Sequence, residues 1–220
     1  ASETSRIQGG TFTINGSAGA ATIDVKQGDT AKNVASLINA KFGTTNVKAQ
    51  ARTEFDLTDL TTGSGFSLDI TSNNATPVTI SFATGSSANS DGLAAAIKAF
   101  NDVSSTTGVT AQLSKSGTGV TLTNATGENI NIVNHSTVAS LTAGGTQLAS
   151  AAQAENEGGG EEGEEGGSEV TTGAIGTGHI VLDSSKSFGL SNVSNTTDFF
   201  NDMALSSQLQ SVSQVDISSV

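Results

Sequence analysis

The chain has 220 residues, enough to bury a core without staples, and a formal net charge of −12 at pH 7. That charge disfavours nucleic acid and anionic membranes, because both would repel it. Cysteine is absent, which excludes disulfides, thiolate metal sites and cysteine nucleophiles.

No apolar run approaches the ~20 residues of a membrane span. No basic-then-apolar leader opens the chain. With no Trp, no Tyr and nine Phe, the core must come from Val, Ile, Leu, Phe and Ala. Gly, Ser, Thr and Asn dominate the rest, the balance of short strands joined by turns.

Residues 1–10 read as a lead-in segment. Phe12 and Ile14, then Ile23 and Val25, alternate with polar neighbours and predict a hairpin across Asn15-Gly16. Gly28 breaks the run, and Asp29 or Thr30 is placed to cap a helix from Thr30 to Phe42. Val34, Leu37 and Ile38 predict its buried face, and Gly43 its left-handed end. Strands are predicted at 46–52, 54–60, 65–71 and 77–83, with Pro77 at a strand start, where its missing N–H is tolerated. A second helix is predicted from Asn89 to Val103, capped by Asn89 or Ser90, with Leu93, Ile97 and Phe100 on one face. Strands at 108–114, 119–123 and 129–133 follow. Leu141 and Leu148 sit in a Thr/Ala/Gly-rich stretch with no clear period. Two further strands are expected across Asp183-Ser-Ser-Lys186, and residues 199–212 are apolar and partly helical in spacing.

Part of this order is doubled. Thr44-Thr-Asn-Val-Lys-Ala-Gln-Ala51 reappears as Thr106-Thr-Gly-Val-Thr-Ala-Gln-Leu113, each string preceded by a helix. Gly63-Ser-Gly-Phe-Ser-Leu68 is matched by Gly117-Thr-Gly-Val-Thr-Leu122. Shared composition does not explain a shared element order, so the pattern indicates an internal duplication. The expected fold is α+β and β-rich, two related units, each a small mainly antiparallel sheet packed on one helix. The boundaries expected are 11–84 and 85–153 for the units, then 154–168, 169–204 for returning strands and 205–220.

Residues 154–168 hold a Glu/Gly run with no apolar side chain beyond Ala154, so burial cannot offset its ordering entropy. Glu161, Glu162, Glu164 and Glu165 are weak candidates for binding a hard cation, having oxygens without the rigid turn a calcium site needs. Weak, diffuse cation condensation is the simpler reading.

A convergent catalytic set is absent from the sequence pattern. His135 and His179 lie in no metal-spaced motif. No G-x-S-x-G elbow occurs. Gly173-Ala-Ile-Gly-Thr-Gly178 lacks the Gly-Lys-Ser/Thr ending of a phosphate loop. Asp24, Asp29, Glu54, Asp56, Asp59 and Asp69 are carboxylate candidates by type alone, and a glycosidase would add aromatic platforms that this chain lacks. No catalytic residue, cofactor or firm metal site is expected.

The string Phe12-Thr-Ile-Asn-Gly16, with Ile23-Asp-Val-Lys-Gln-Gly-Asp-Thr-Ala-Lys-Asn-Val-Ala-Ser-Leu-Ile-Asn-Ala40, resembles the "IN" repeat of bacterial flagellins and filament-cap proteins. Asn124-Ala-Thr-Gly-Glu-Asn-Ile-Asn-Ile132 is similar to the matching half of a flagellin variable region. The end, Leu209-Gln-Ser-Val-Ser-Gln-Val-Asp-Ile-Ser-Ser-Val220, resembles the point where flagellins return to their C-terminal core helices. The resemblance implies a non-enzymatic outer region of the flagellar filament subunit, serving motility from the extracellular filament surface. It implies neighbouring flagellin subunits as partners, exposure to antibodies, and surface glycans on Ser/Thr. Neither nucleic acid nor membrane is expected as a partner, and the detached region is expected to be a monomer. The competing expectations are a carbohydrate- or cation-binding surface adhesin and a filament-cap-like protein.

Overall fold

The computed structural model describes residues 9–156 and 171–191. With 42% strand and 21% helix it is a β-rich α+β protein. In chain order the elements are β1 (Gly10–Asn15), β2 (Ala20–Val25), α1 (Ala31–Ala40), α2 (Phe42–Thr45), β3 (Lys48–Thr58), β4 (Gly65–Thr71), β5 (Val78–Ala83), α3 (Ser90–Asp102), α4 (Ser104–Thr107), β6 (Val109–Leu113), β7 (Val120–Asn124), β8 (Ile130–Asn134), β9 (Leu141–Ala143), β10 (Thr146–Leu148), α5 (Ala151–Asn156), β11 (Gly173–Gly176), β12 (His179–Asp183) and β13 (Gly189–Ser191). They form three sheets, ordered β13-β1-β2, β10-β9-β3-β7-β6 with β12 also on β3, and β11-β8-β4-β5.

The described residues divide into two compact units, both discontinuous in sequence. One comprises 30–32, 51–156 and 171–180; the other comprises 9–29, 33–50 and 181–191.

In the larger unit the core is a single cluster drawn from two sheets and α3. Strands β4 and β5 turn Phe66, Leu68, Ile70, Ile80 and Phe82 inward, following the period of two. Helix α3 sets Leu93, Ala96 and Phe100 against them, spaced to share one face. Phe66 stacks on Phe82 with ring centroids 5.2 Å apart, and Phe82 tilts against Phe100 at 6.2 Å. Asn89 caps α3, its side-chain oxygen accepting the Gly92 N–H. The buried Asn134 donates to the carbonyls of Ala139 and Ala149 and accepts the Ser136 N–H. Those bonds fix the ends of the β9–β10 hairpin, in the stretch whose sequence shows no period.

In the smaller unit Phe12, Ile14, Ile23, Val25, Val34, Ala35, Ile38, Val47, Ala49 and Leu190 are buried. Strands β1 and β2 pair from Gly10↔Val25 to Asn15↔Ala20, leaving a four-residue loop rather than a two-residue Asn-Gly turn. Gly16 is required there by space. A Cβ on it would lie 1.7 Å from the Thr45 carbonyl oxygen.

Several expectations are corrected. The first helix is two helices, α1 and α2, and Gly43 lies inside α2 rather than ending a helix. The left-handed residue is Asn46, at φ 60°. The Phe42 carbonyl accepts the Asn46 N–H, which closes the turn. Leu37 is not on the buried face; α1 buries Ala31, Val34, Ala35 and Ile38, and Leu37 is 40% exposed. Residues 46–52 and 54–60, expected as two strands, make one unbroken strand, β3, because nothing between them breaks the alternation.

The duplication is visible in local geometry, residue for residue. Asn39 accepts the Ala49 N–H and donates to the Ala49 carbonyl, both at 2.9 Å. Asn101 does the same to Ala111, at 2.8 and 2.9 Å. Thr45 donates to the Lys41 carbonyl and accepts the Val47 N–H; Thr107 donates to the Val103 carbonyl and accepts the Val109 N–H. Asn46 at φ 60° corresponds to Gly108 at φ 69°. Buried Ala31, Val34 and Ile38 correspond to Leu93, Ala96 and Phe100. Each helix is preceded by an antiparallel hairpin, β1–β2 or β4–β5. The match of Gly63–Leu68 with Gly117–Leu122 does not carry over. Strand β4 pairs with β5 and β8, whereas β7 lies between β3 and β6.

Candidate functional site

The first and last described strands lie side by side. Strand β1 is the centre of its sheet, hydrogen-bonded to β2 on one edge and β13 on the other. Thr13 faces Ser191, Ile14 faces Leu190 and Asn15 faces Gly189, all antiparallel. Asn15 Nδ2 donates to Ser191 Oγ at 2.8 Å. Buried Phe12, Ile14, Ile23, Val25 and Leu190 anchor this sheet. The chain therefore enters along β1 and comes back along β13 at the same end of one small sheet.

The ionisable candidates are dispersed over the strands and turns. Asp69 on β4 accepts from Thr79 Oγ1 at 2.5 Å through Oδ1, and lies 3.1 Å from His135 Nε2 through Oδ2. The carboxylate is thus the central member. A base–nucleophile pair needs the imidazole between hydroxyl and carboxylate. Asp56 accepts from Thr121 across the β3–β7 ladder, and Glu54 pairs with Arg52 on its own strand. Asp29 accepts the Lys26 N–H and closes a turn before α1. Asp59 is left-handed at φ 51° and accepts from the Thr58 hydroxyl. Asp24 and His179 are exposed. The bonds of Asp29, Glu54, Asp56, Asp59 and Asp69 stay within a turn or strand or cross to a neighbouring segment. Among the described residues no group of three or more His, Asp or Glu is arranged to hold a metal ion. Glu161, Glu162, Glu164 and Glu165 lie outside the described residues.

Among the described residues of the smaller unit, large apolar side chains meet solvent at Leu37 and Phe42 on α1 and α2 and at Val181 on β12. Leu37 is 40% and Phe42 38% exposed, and Lys48 Nζ sits 5.2 Å from the Phe42 ring centroid. The corresponding residues of the second copy are Ala99, Ser104 and Thr110, small or polar.

Sequence reasoning missed the side-chain amides of Asn39 and Asn101. The signal was present in the doubled Asn, Thr-Thr, Val, Ala spacing, but strings of this kind are ordinarily read for their apolar residues.

Residues 11–63 match the family model described as the flagellin hook IN motif. The matched span runs from β1 through β3 and ends before β4. The comparison with curated proteins found no match. The chain thus carries a flagellin-type structural motif, from a structural, non-enzymatic family whose members assemble subunit to subunit. Among the described residues no helix is long and apolar enough to cross a membrane.

Proposed function

We propose that this chain is a non-catalytic, outward-facing structural region of a flagellin-type filament subunit. The observation that carries the reading is the IN motif at residues 11–63, set in a chain whose first and last described strands are zipped together. A region inserted into a longer subunit must leave and rejoin its host at neighbouring points, and β1 with β13 supplies that geometry. In this reading the two copies of the hairpin-and-helix pattern, β1–β2 with α1 and β4–β5 with α3, belong to the outward body, and β12 and β13 bring the chain back. Neighbouring subunits are the partners, and the location is the extracellular surface of the filament. A net charge of −12 supports the solubility that an outward region needs.

Antibodies raised against the purified chain test this directly. Immunogold microscopy of intact flagellated cells of the source organism should label filaments along their whole length. Label confined to the filament tip would favour the cap-like reading, and label on the cell body alone would favour an adhesin. Deleting residues 11–191 from the full-length subunit should leave filament assembly intact. Complete loss of assembly would overturn the outward placement.

A further inference from the structure

We infer that the Asn101–Thr107 clasp closes the open edge of β6 against pairing with a second copy of this chain. β6 is the last strand on its side of the six-stranded sheet, so one row of its backbone groups faces away from β7. Such a row is a ready template for an added strand. Here three of its groups are already bonded. Thr107 Oγ1 accepts the Val109 N–H at 3.2 Å, Asn101 Oδ1 accepts the Ala111 N–H at 2.8 Å, and Asn101 Nδ2 donates to the Ala111 carbonyl at 2.9 Å. A primary amide offers one donor and one acceptor on the same carbon, as a peptide unit does. Asn101 therefore stands where a neighbour's backbone would bind.

The strand is short, and α3, whose last turn supplies Asn101, packs against it, but the strand's own sequence adds no guard. Its residues Val109, Thr110, Ala111, Gln112 and Leu113 include no charge and no proline. Val, Thr and Leu at this spacing form a good strand, so an unguarded edge here would attract another. The same bonds occur on Val47 and Ala49 through Thr45 and Asn39 in the duplicated copy. The inference concerns an edge of this fold and does not depend on the filament reading.

Two measurements on the full 220-residue chain test it. In the unaltered protein, the amide protons of Val109 and Ala111 should exchange as slowly as those of the central strand β7. Exchange at the rate of exposed loops would overturn the proposal. In sedimentation velocity, Asn101→Ala should form dimers and larger species at concentrations where the parent is monomeric. Each backbone bond gained across the edge is worth roughly two- to tenfold in association. Asn101→Asp also loses the donor but places a charge at the edge, and should stay monomeric. A folded, monomeric Asn101→Ala overturns the proposal. So does equal association of the Ala and Asp variants, which would reflect lost stability alone. If Asn101→Ala does not fold, Thr107→Val frees only the Val109 N–H and is read in the same assay. Association above the parent supports the guard, and none overturns it.

Discussion

At the scale of single residues, the fold depends on small polar side chains that bond to backbone. Asn39, Thr45, Asn101 and Thr107 convert a helix end and a turn into a fixed approach for the next strand. Removing the Asn39 amide orphans a backbone N–H and C=O at Ala49, whose side chain is buried, so Asn39→Ala should cost about 1–3 kcal/mol in urea unfolding. Glycines divide by their surroundings rather than by helix propensity. Gly43 lies in α2, and a Cβ added to it would meet nothing within 4 Å, so Gly43→Ala should raise stability by up to about 1 kcal/mol. Gly92 lies in the first turn of α3, where a Cβ would meet the Ser87 carbonyl oxygen at 1.9 Å. Gly92→Ala should therefore lower the melting temperature although Ala is the better helix former. Thermal unfolding of the two variants side by side checks both signs.

At the scale of elements, periodicity located the two long helices and most strands correctly, because burial imposes periods of 3.6 and 2 directly on the chain. It misplaced one helix face. Leu37 fits an apolar i, i+3, i+4 set with Val34 and Ile38, yet the stripe actually buried starts at Ala31, and Ala is a weak signal in any hydrophobicity pattern. The difference is measurable. Ile38→Ala should cost about 2–5 kcal/mol and Leu37→Ala under about 1 kcal/mol in chemical denaturation. The β9–β10 hairpin was not legible because Asn134, not an apolar alternation, determines where its ends lie. The boundary between α1 and α2 was hidden for a similar reason. Gly43 advertises a left-handed stop, while Asn46 supplies it, closing the turn through its own N–H to the Phe42 carbonyl.

At the scale of the whole molecule, the family motif and the folding unit do not coincide. Phe55, Leu57 and Leu60 fall inside the matched span 11–63, but they bury in a cluster whose other members all lie beyond residue 63. A fragment ending at Gly63 should lack a cooperative unfolding transition by circular dichroism, whereas residues 9–191 should show one. The repeated turn geometry at Asn39–Ala49 and Asn101–Ala111 left a mark in the sequence as repeated strings, since a repeat survives in residue order; the pairing of β3 with β7 left none, because strand partners far apart in sequence leave no local mark. The candidate carboxylates were legible only as residue types, and the structure accounts for Asp29, Glu54, Asp56, Asp59 and Asp69 by local bonds to their own turns and ladders.

The antiparallel join of β1 and β13 also has a mechanical meaning. Tension applied through Gly10 and Ser191 would peel that ladder open one bond at a time, instead of shearing all its bonds together. Stretched between those two points in an optical trap, the protein should yield first at this seam, at low force, while the hairpin of β1 with β2 still holds. A body tethered in this way gives under drag at its attachment and recovers there, leaving its interior undisturbed.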